Sequence, residues 1–279
     1  VIMDHRPKKR FGQNFLKDES VVSAILQAAE LSDCDRVLEI GPGLGALTDR
    51  MLPLVKELKV MELDQDLIER LEQRPAPQLK VLAGDALRLD WPALLVQPPY
   101  KLVANLPYNI SSQIVFKILD HHQLFSRLVL MFQKEVGDRL SAPPGNRDYG
   151  ILSVLCQLHF DVRRLLTVPP GAFHPAPKVT SAVLVFTPLG APRVEVSDEA
   201  FFRRVVKAAF AQRRKTLRNT LSASGFGGPH LEPLLKSLDI DPVRRGETLS
   251  LEEFSRLAMG LQRVAGFGDE EPAAGHAGE

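Results

Sequence analysis

Hydrophobic positions along the chain fall into short blocks separated by polar punctuation. Over 18–30 the apolar residues recur at helical spacing behind two acids, a start that suits the helix dipole. Arg-Val-Leu-Glu-Ile at 36–40 is a short apolar strand. Gly-Pro-Gly-Leu-Gly at 41–45 follows it, then a helix over 46–54 that ends around Pro53. Val-Met-Glu-Leu-Asp at 60–64 makes a second strand, and Asp64 is placed to cap a helix over 65–73. A third strand, 79–83, runs into Gly84-Asp85-Ala86; a fourth, 102–104, runs into Asn105-Leu106-Pro107-Tyr108. A helix over 111–119 precedes a fifth strand at 127–132, and strands at 161–168 and 181–187 flank a proline-rich stretch at 173–179. Beyond 187–192 the pattern is helical, and Ser250 with Glu253 forms a capping box that opens a last helix to about 261.

Strands alternating with helices at this rhythm predict βαβ units and an α/β fold with a parallel sheet covered on both faces. Ligands in such sheets bind outside the carboxyl ends of the strands. The polar marks after Ile40, at Glu62, at Asp85 and at Asn105 all fall there. At roughly 150 residues per domain, 279 residues suggest two domains. The punctuation at 187–192 places the boundary: a cofactor domain over 1–190 and a helical domain over 191–263. Residues 264–279 read as a disordered tail, being rich in Gly, Ala and Glu.

Apolar residues make up 44% and charged residues 25%, the balance of a chain with a real core. No apolar run approaches the ~20 residues of a membrane span. The basic start has no apolar stretch behind it, and two cysteines make no disulfide framework. A reducing, cytoplasmic setting is the expectation. The adjacent His121 and His122 point about 100° apart on a helix, so a surface pair is expected there and no metal site. Net charge is only +1, but its distribution is uneven. The stretch 5–17 holds five Lys or Arg and no acid; 203–218 holds seven and no acid. Two local basic fields on a near-neutral chain point to a polyanion touched at defined places, or to two solvated faces.

Gly41, Gly43 and Gly45 permit a tight strand-to-helix turn and close approach of a ligand to the backbone. With Ala46 they satisfy G-x-G-x-x-G/A, which fits a nicotinamide enzyme, an S-adenosylmethionine (SAM) methyltransferase or a bare turn. Glu62, about twenty residues on, is where an acid takes ribose hydroxyls. Asp85 after the third strand can accept from an adenine exocyclic amine, an arrangement typical of SAM sites. It can equally cap the following turn.

Asn105-Leu106-Pro107-Tyr108 carries the sharpest chemistry. Adenine N6 is a poor nucleophile because its lone pair is delocalised into the ring. Two acceptors aimed at its hydrogens favour a pyramidal, more nucleophilic nitrogen. The Asn105 side-chain carbonyl is one candidate acceptor and the Leu106 main-chain carbonyl the other, with Pro107 restricting the backbone that presents it. Tyr108 offers a flat face for the base. Phe173, in Phe-x-Pro-x-Pro-x-Val, is either a rigid ring for the other face of a flipped base or ordinary core.

Taken together, the chain resembles the small-subunit ribosomal RNA adenine N6,N6-dimethyltransferases. The resemblance rests on Phe-Gly-Gln-Asn-Phe-Leu at 11–16, Glu-Ile-Gly-Pro-Gly-Leu-Gly at 39–45, Glu-Leu-Asp at 62–64 and Gly-Asp-Ala at 84–86. Asn-Leu-Pro-Tyr at 105–108, Phe-His-Pro-Ala-Pro-Lys-Val at 173–179 and Gln-Arg-Arg-Lys-Thr-Leu-Arg-Asn at 212–219 complete it. It implies a class I SAM-dependent methyltransferase fold, Rossmann-like, with a seven-stranded, mostly parallel sheet and a small all-helical C-terminal domain. It further implies dimethylation of two neighbouring adenosines in a hairpin loop near the 3′ end of 16S rRNA, within the immature 30S subunit. By position, Asn14, Leu16, Gly41, Glu62, Asp85 and Asn105 match the cofactor-contacting set, with Gln13 and Gly43 beside them.

If 201–221 is one helix, Arg203, Arg204, Lys207, Arg214, Lys215 and Arg218 share an arc of about 120°. Phosphates would meet that face. Arg213 falls in the apolar arc, so a break after Ala211 is the alternative. Arg6, Lys8, Lys9 and Arg10 offer a second phosphate contact beside the cofactor mouth. Three other readings stay open at this level. One is a 23S rRNA adenine methyltransferase, another an assembly factor that acts by binding, the third a nicotinamide enzyme. A monomer is the simplest expectation.

Overall fold

The computed structural model describes Lys8 and residues 13–266. Nine strands and eleven α-helices run in the order β1 (Phe15–Leu16), α1 (Glu19–Ala29), β2 (Arg36–Ile40), α2 (Thr48–Met51), β3 (Glu57–Glu62), α3 (Gln65–Glu72), β4 (Leu79–Ala83), α4 (Trp91–Leu94), β5 (Tyr100–Asn105), α5 (Ser111–Asp120), β6 (Phe125–Gln133), α6 (Lys134–Ser141), α7 (Ile151–His159), β7 (Phe160–Val168), β8 (Phe173–His174), β9 (Ser181–Pro188), α8 (Glu199–Phe210), α9 (Leu217–Leu221), α10 (Leu231–Ser237) and α11 (Leu251–Gly266) among the described residues.

Seven strands form one sheet in the order β4-β3-β2-β5-β6-β9-β7. The first five are parallel, and β9 runs antiparallel to both its neighbours. The strands of the middle are near-continuous apolar runs because both faces are covered. Val37, Leu58, Val60, Val103, Val129, Met131, Val183 and Val185 are all buried in one core, which Val22 and Ile25 of α1 join. Asp18 starts α1 by accepting from the Ser20 and Val21 amides at 2.9 and 3.3 Å. From β2 the chain builds outward through β3 to β4, then returns to lay β5 on the other flank of β2. This is a topological switch point, and it opens a crevice between the carboxyl ends of β2 and β5.

Chain contacts divide the protein into two compact units, Val1–Ser141 with His159–Gly190, and Ala142–Leu158 with Ala191–Glu279. A single cut near residue 190 therefore misassigns 142–158. That stretch belongs to the helical unit because its polar and aromatic groups are satisfied there. Gly145 donates to the Glu247 carbonyl at 2.8 Å, Arg193 donates to the Leu158 carbonyl at 2.8 Å, and the Tyr149 and Phe210 rings lie 6.0 Å apart. In the same unit, Ser250 and Glu253 make the expected reciprocal cap of α11, at 3.2 and 2.8 Å. The expected tail, 264–279, falls mostly outside the described residues.

Of the two readings of 201–221, the one with a break after Ala211 holds: the stretch is two helices. α8 ends at Phe210, and Thr216 caps α9 by accepting from the Asn219 amide. The Thr220 hydroxyl reaches back to the Ala208 carbonyl at 3.0 Å and accepts from the Gln212 amide at 3.2 Å, which closes the corner. Arg213 thereby leaves the apolar arc, and its guanidinium donates to the Arg147 and Tyr149 carbonyls. The histidine pair also departs from expectation. Both residues are half-buried; His122 stacks on His159 at 3.9 Å, and His121 lies 6.2 Å from Trp91.

Candidate active site

The glycine loop leaves β2 at Ile40 with Gly41, Gly43 and Gly45 in the left-handed region, at φ of 66°, 59° and 96°. At Gly43 the requirement is twofold, because a Cβ there would also sit 2.9 Å from Cδ1 of Phe15. Arg74 holds the outside of the loop: its Nη2 donates to the Leu44 carbonyl at 3.0 Å and its Nε to Asp49 at 2.6 Å. Beneath the loop, Glu39 is 1% exposed and accepts from the Thr48 hydroxyl at 2.6 Å. Burial pushes its carboxyl up to about 8, although the Thr48 bond pulls the other way.

Glu62 ends β3 and is 8% exposed. Its carboxylate accepts from the Leu63 and Asp64 amides at 2.8 and 2.9 Å. Burial raises its pKa against the pull of those amides. Asp85 is half-buried and accepts from the Leu87 amide at 2.9 Å, so it does cap its turn. That turn is braced from behind. Lys117 donates to the Leu87 and Leu89 carbonyls at 2.9 and 2.5 Å, and the Trp91 indole donates to the Ala86 carbonyl at 3.0 Å.

Asn105 ends β5. Its side-chain amide donates to the Asn14 main-chain carbonyl at 3.2 Å, which fixes the side chain's orientation with the amide oxygen as the accepting end. Leu106 donates its N–H to the Met131 carbonyl at 3.2 Å, so its peptide is held by β6. The Tyr108 hydroxyl shares a 2.5 Å hydrogen bond with the Ser181 hydroxyl, which holds the half-buried ring from its far end. Burial raises the Tyr108 pKa, with the Ser181 bond opposing.

One cavity of about 360 Å³ gathers these groups. Gln13, Asn14, Leu16, Gly41, Gly43, Glu62, Asp85, Asn105, Leu106, Pro107 and Tyr108 all line it, as do Phe15, Glu39 and Leu63. Eleven expected site residues from five separate segments therefore meet. The lining fits SAM: the exposed backbone of the glycine loop suits its amino-acid end, and the carboxylates of Glu62 and Asp85 are acceptors for ribose hydroxyls and the adenine amine. Sequence reasoning gave no role to Glu39, Arg74, Lys117 or Ser181. Only an acid conspicuous within an apolar strand signalled the first.

The chain can also be compared with known proteins. The family model described as "Ribosomal RNA adenine dimethylase" matches residues 4–262. The chain belongs to that family. Its members are SAM-dependent enzymes that dimethylate adenine in ribosomal RNA, and this chain is an enzyme of that kind. Among similar relatives is "Ribosomal RNA small subunit methyltransferase A" of Syntrophotalea carbinolica, 67% identical over 93% of this chain and 98% of the relative. The protein of the same name from Geobacter sulfurreducens is 52% identical, over 94% and 97% of the two chains. Among solved structures, a dimethyladenosine transferase from Plasmodium falciparum superposes with a TM-score of 0.76. It is 27% identical and covers 90% of this chain and 98% of its own. The 23S rRNA methyltransferase ErmE, at 23% identity and a TM-score of 0.66, shares the fold. The fold expected from the sequence is thereby established, with its seven-stranded sheet in place.

Two placements correct the sequence reading. Phe173 is 2% exposed and packs in the core with Leu16, Val168 and Ala172. It pairs with Leu16 across the β1–β8 ladder and does not line the cavity, which is the core placement of the two that its sequence allowed. Lys8 is not free for a phosphate: its ammonium pairs with Asp64 at 2.5 Å and Asp66 at 2.7 Å. Arg6, Lys9 and Arg10 lie outside the described residues. In the helical unit, Lys207, Arg214 and Lys215 are exposed. Arg204 lies over the Phe201 and Phe226 rings at 5.5 and 5.9 Å. Arg203 pairs with Glu199 at 3.5 Å and Arg218 with Glu232 at 3.0 Å, so these two are partly neutralised. The single basic arc drawn for one helix does not exist.

Proposed function

We propose that the chain transfers methyl groups from SAM to N6 of two adjacent adenosines in a hairpin loop near the 3′ end of 16S rRNA. In this reading the substrate is the immature 30S particle, the setting is the cytoplasm, and the enzyme acts as a monomer in small-subunit biogenesis. The observation that carries it is the convergence of Asn105–Tyr108 and the glycine loop on one cavity at the switch point of the sheet. The small-subunit enzymes among its similar relatives favour 16S over 23S rRNA.

When bound, SAM supplies a methyl on a positively charged sulfur, already a reactive electrophile. Glu62 and Asp85 hold the nucleoside, and the loop at Gly41–Gly43 holds the amino-acid end. Tyr108 stacks on the target base, its ring fixed through Ser181. The Asn105 amide oxygen and the Leu106 carbonyl accept the two N6 hydrogens and draw the nitrogen out of conjugation. Alignment and electrostatic stabilisation then suffice, and no strong general base is needed because the alkylated amine loses its proton readily. Lys207, Arg214 and Lys215, with Arg203, Arg204 and Arg218 contributing less, contact RNA phosphates.

The test is Asn105→Ala. Methyl transfer to undermethylated 30S particles falls at least about a hundredfold, the scale of losing one transition-state hydrogen-bonding group. SAM binding weakens but stays measurable. Turnover like the unaltered enzyme's would remove Asn105 from the chemistry.

A further inference from the structure

The residues that reach the cavity from the N-terminal side, 13–16, are held at both ends. On one side Phe15 and Leu16 pair with His174 and Phe173, and Lys17 donates to the Ala172 carbonyl at 2.9 Å. In the middle the Asn14 carbonyl takes the Asn105 amide at 3.2 Å. On the other side everything converges on Asp64. One carboxylate oxygen accepts from Gln13 Nε2 at 2.8 Å and the other from Lys8 Nζ at 2.5 Å. Lys8 also donates its main-chain N–H to Gln13 Oε1 at 2.8 Å, which closes the ring of contacts. The Asp66 amide reaches Asp64 at 3.2 Å, the ordinary capping bond of α3.

A helix cap needs only that last bond. Asp64 is 1% exposed, yet it receives a cation and a side-chain amide from residues more than fifty positions away. Burial alone would raise its pKa, but the Lys8 and Gln13 contacts outweigh that and hold it below the usual carboxylate range. Asp64 also sits two residues beyond Glu62, so the same short turn that brings Glu62 to the cavity holds the segment 13–16, which lines it too.

We propose that Asp64 is a positioning residue that latches Lys8 and Gln13, and through them the segment 13–16, across the cofactor cavity, slowing cofactor release. Lys8 serves this latch and not an RNA phosphate. The inference rests on the reading that the cavity binds SAM.

The experiment measures binding and release of S-adenosylhomocysteine by stopped-flow and calorimetry on the full chain. Asp64→Asn keeps the cap but removes the charge. Lys8→Met leaves Asp64 untouched, so a folding defect in the first variant does not silence the test. Both raise Kd about tenfold, as loss of one charge-assisted contact implies, with the change in the off-rate. The double variant is no worse than Asp64→Asn, and Lys8→Arg binds like the unaltered chain. In turnover, KM for SAM rises while kcat at saturating SAM moves by less than about threefold. An unchanged Kd in both single variants overturns the latch. So does a loss confined to kcat or to RNA affinity in Lys8→Met. Absence of binding by the unaltered chain overturns the cofactor reading, and the latch with it.

Discussion

Replacing Glu39 by Gln isolates the most perturbed acid in the cofactor unit. Glu39 is enclosed beneath the glycine loop, and its carboxyl is pushed from 4.5 up to about 8 by burial. Because its folded pKa lies above the unfolded one, the folded chain binds an extra proton between roughly pH 4.5 and 8. The stability from this group is complete below pH 4.5 and is lost as pH rises through 8. At about 1.4 kcal/mol per pH unit the whole window is worth up to about 5 kcal/mol. Relaxation around the charge brings the expected change to about 2–3 kcal/mol. The chain's one tryptophan, Trp91, is fully buried in the same unit, so its fluorescence reports unfolding of that unit alone. Urea unfolding of cofactor-free protein is followed from about pH 4 to 9, which brackets the window. The unaltered chain loses stability across this range more steeply than Glu39→Gln by about 2–3 kcal/mol. The amide that replaces the carboxyl can still accept from Thr48 and does not titrate, so the variant's curve is the flatter of the two. Parallel curves would mean that Glu39 titrates alike in the folded and unfolded chain and that burial does not raise its pKa.

Gly43→Ala places a methyl against Phe15 at a left-handed φ, and it raises the Kd for SAM about tenfold or more, measured by calorimetry. Tyr108→Phe keeps the ring and loses only the Ser181 bond, so turnover falls less than about fivefold, whereas Tyr108→Ala loses the stacking face and falls about tenfold to a hundredfold. Arg214→Ala and Lys215→Ala each reduce the salt slope of rRNA binding by about 1. Arg213→Ala leaves that slope alone and instead lowers the melting temperature of the helical unit, because its guanidinium serves the Arg147 and Tyr149 carbonyls.

The parallel half of the sheet was legible because its strands are short, largely apolar runs ending in polar marks. Ligand residues fell out of the same pattern, since strand ends in such a sheet are where ligands bind. The break between α8 and α9 was nearly hidden. No Gly or Pro stands between 211 and 216, and the corner is closed by Thr220 reaching back across it. Arg213 in an apolar arc was its one trace. Phe173 was ambiguous because a phenylalanine in a proline-stiffened loop is equally at home in a core or on a base, and only the β1–β8 pairing decides. Lys8 read as a phosphate contact because its acid partners lie more than fifty residues away, where no local pattern pairs them. The stretch 142–158 joined the helical unit through contacts equally remote in sequence.

In the proposed reaction the Asn105–Tyr108 turn presents adenine N6 to a sulfonium methyl. Undermethylated 30S particles incubated with the enzyme and labelled SAM, digested to nucleosides and mapped by mass spectrometry, test it directly. Label is expected in N6,N6-dimethyladenosine at two adjacent positions near the 3′ end of 16S rRNA, and at most about a hundredth as much with Asn105→Ala. Label on another base, on another atom of adenine or in 23S rRNA would contradict it.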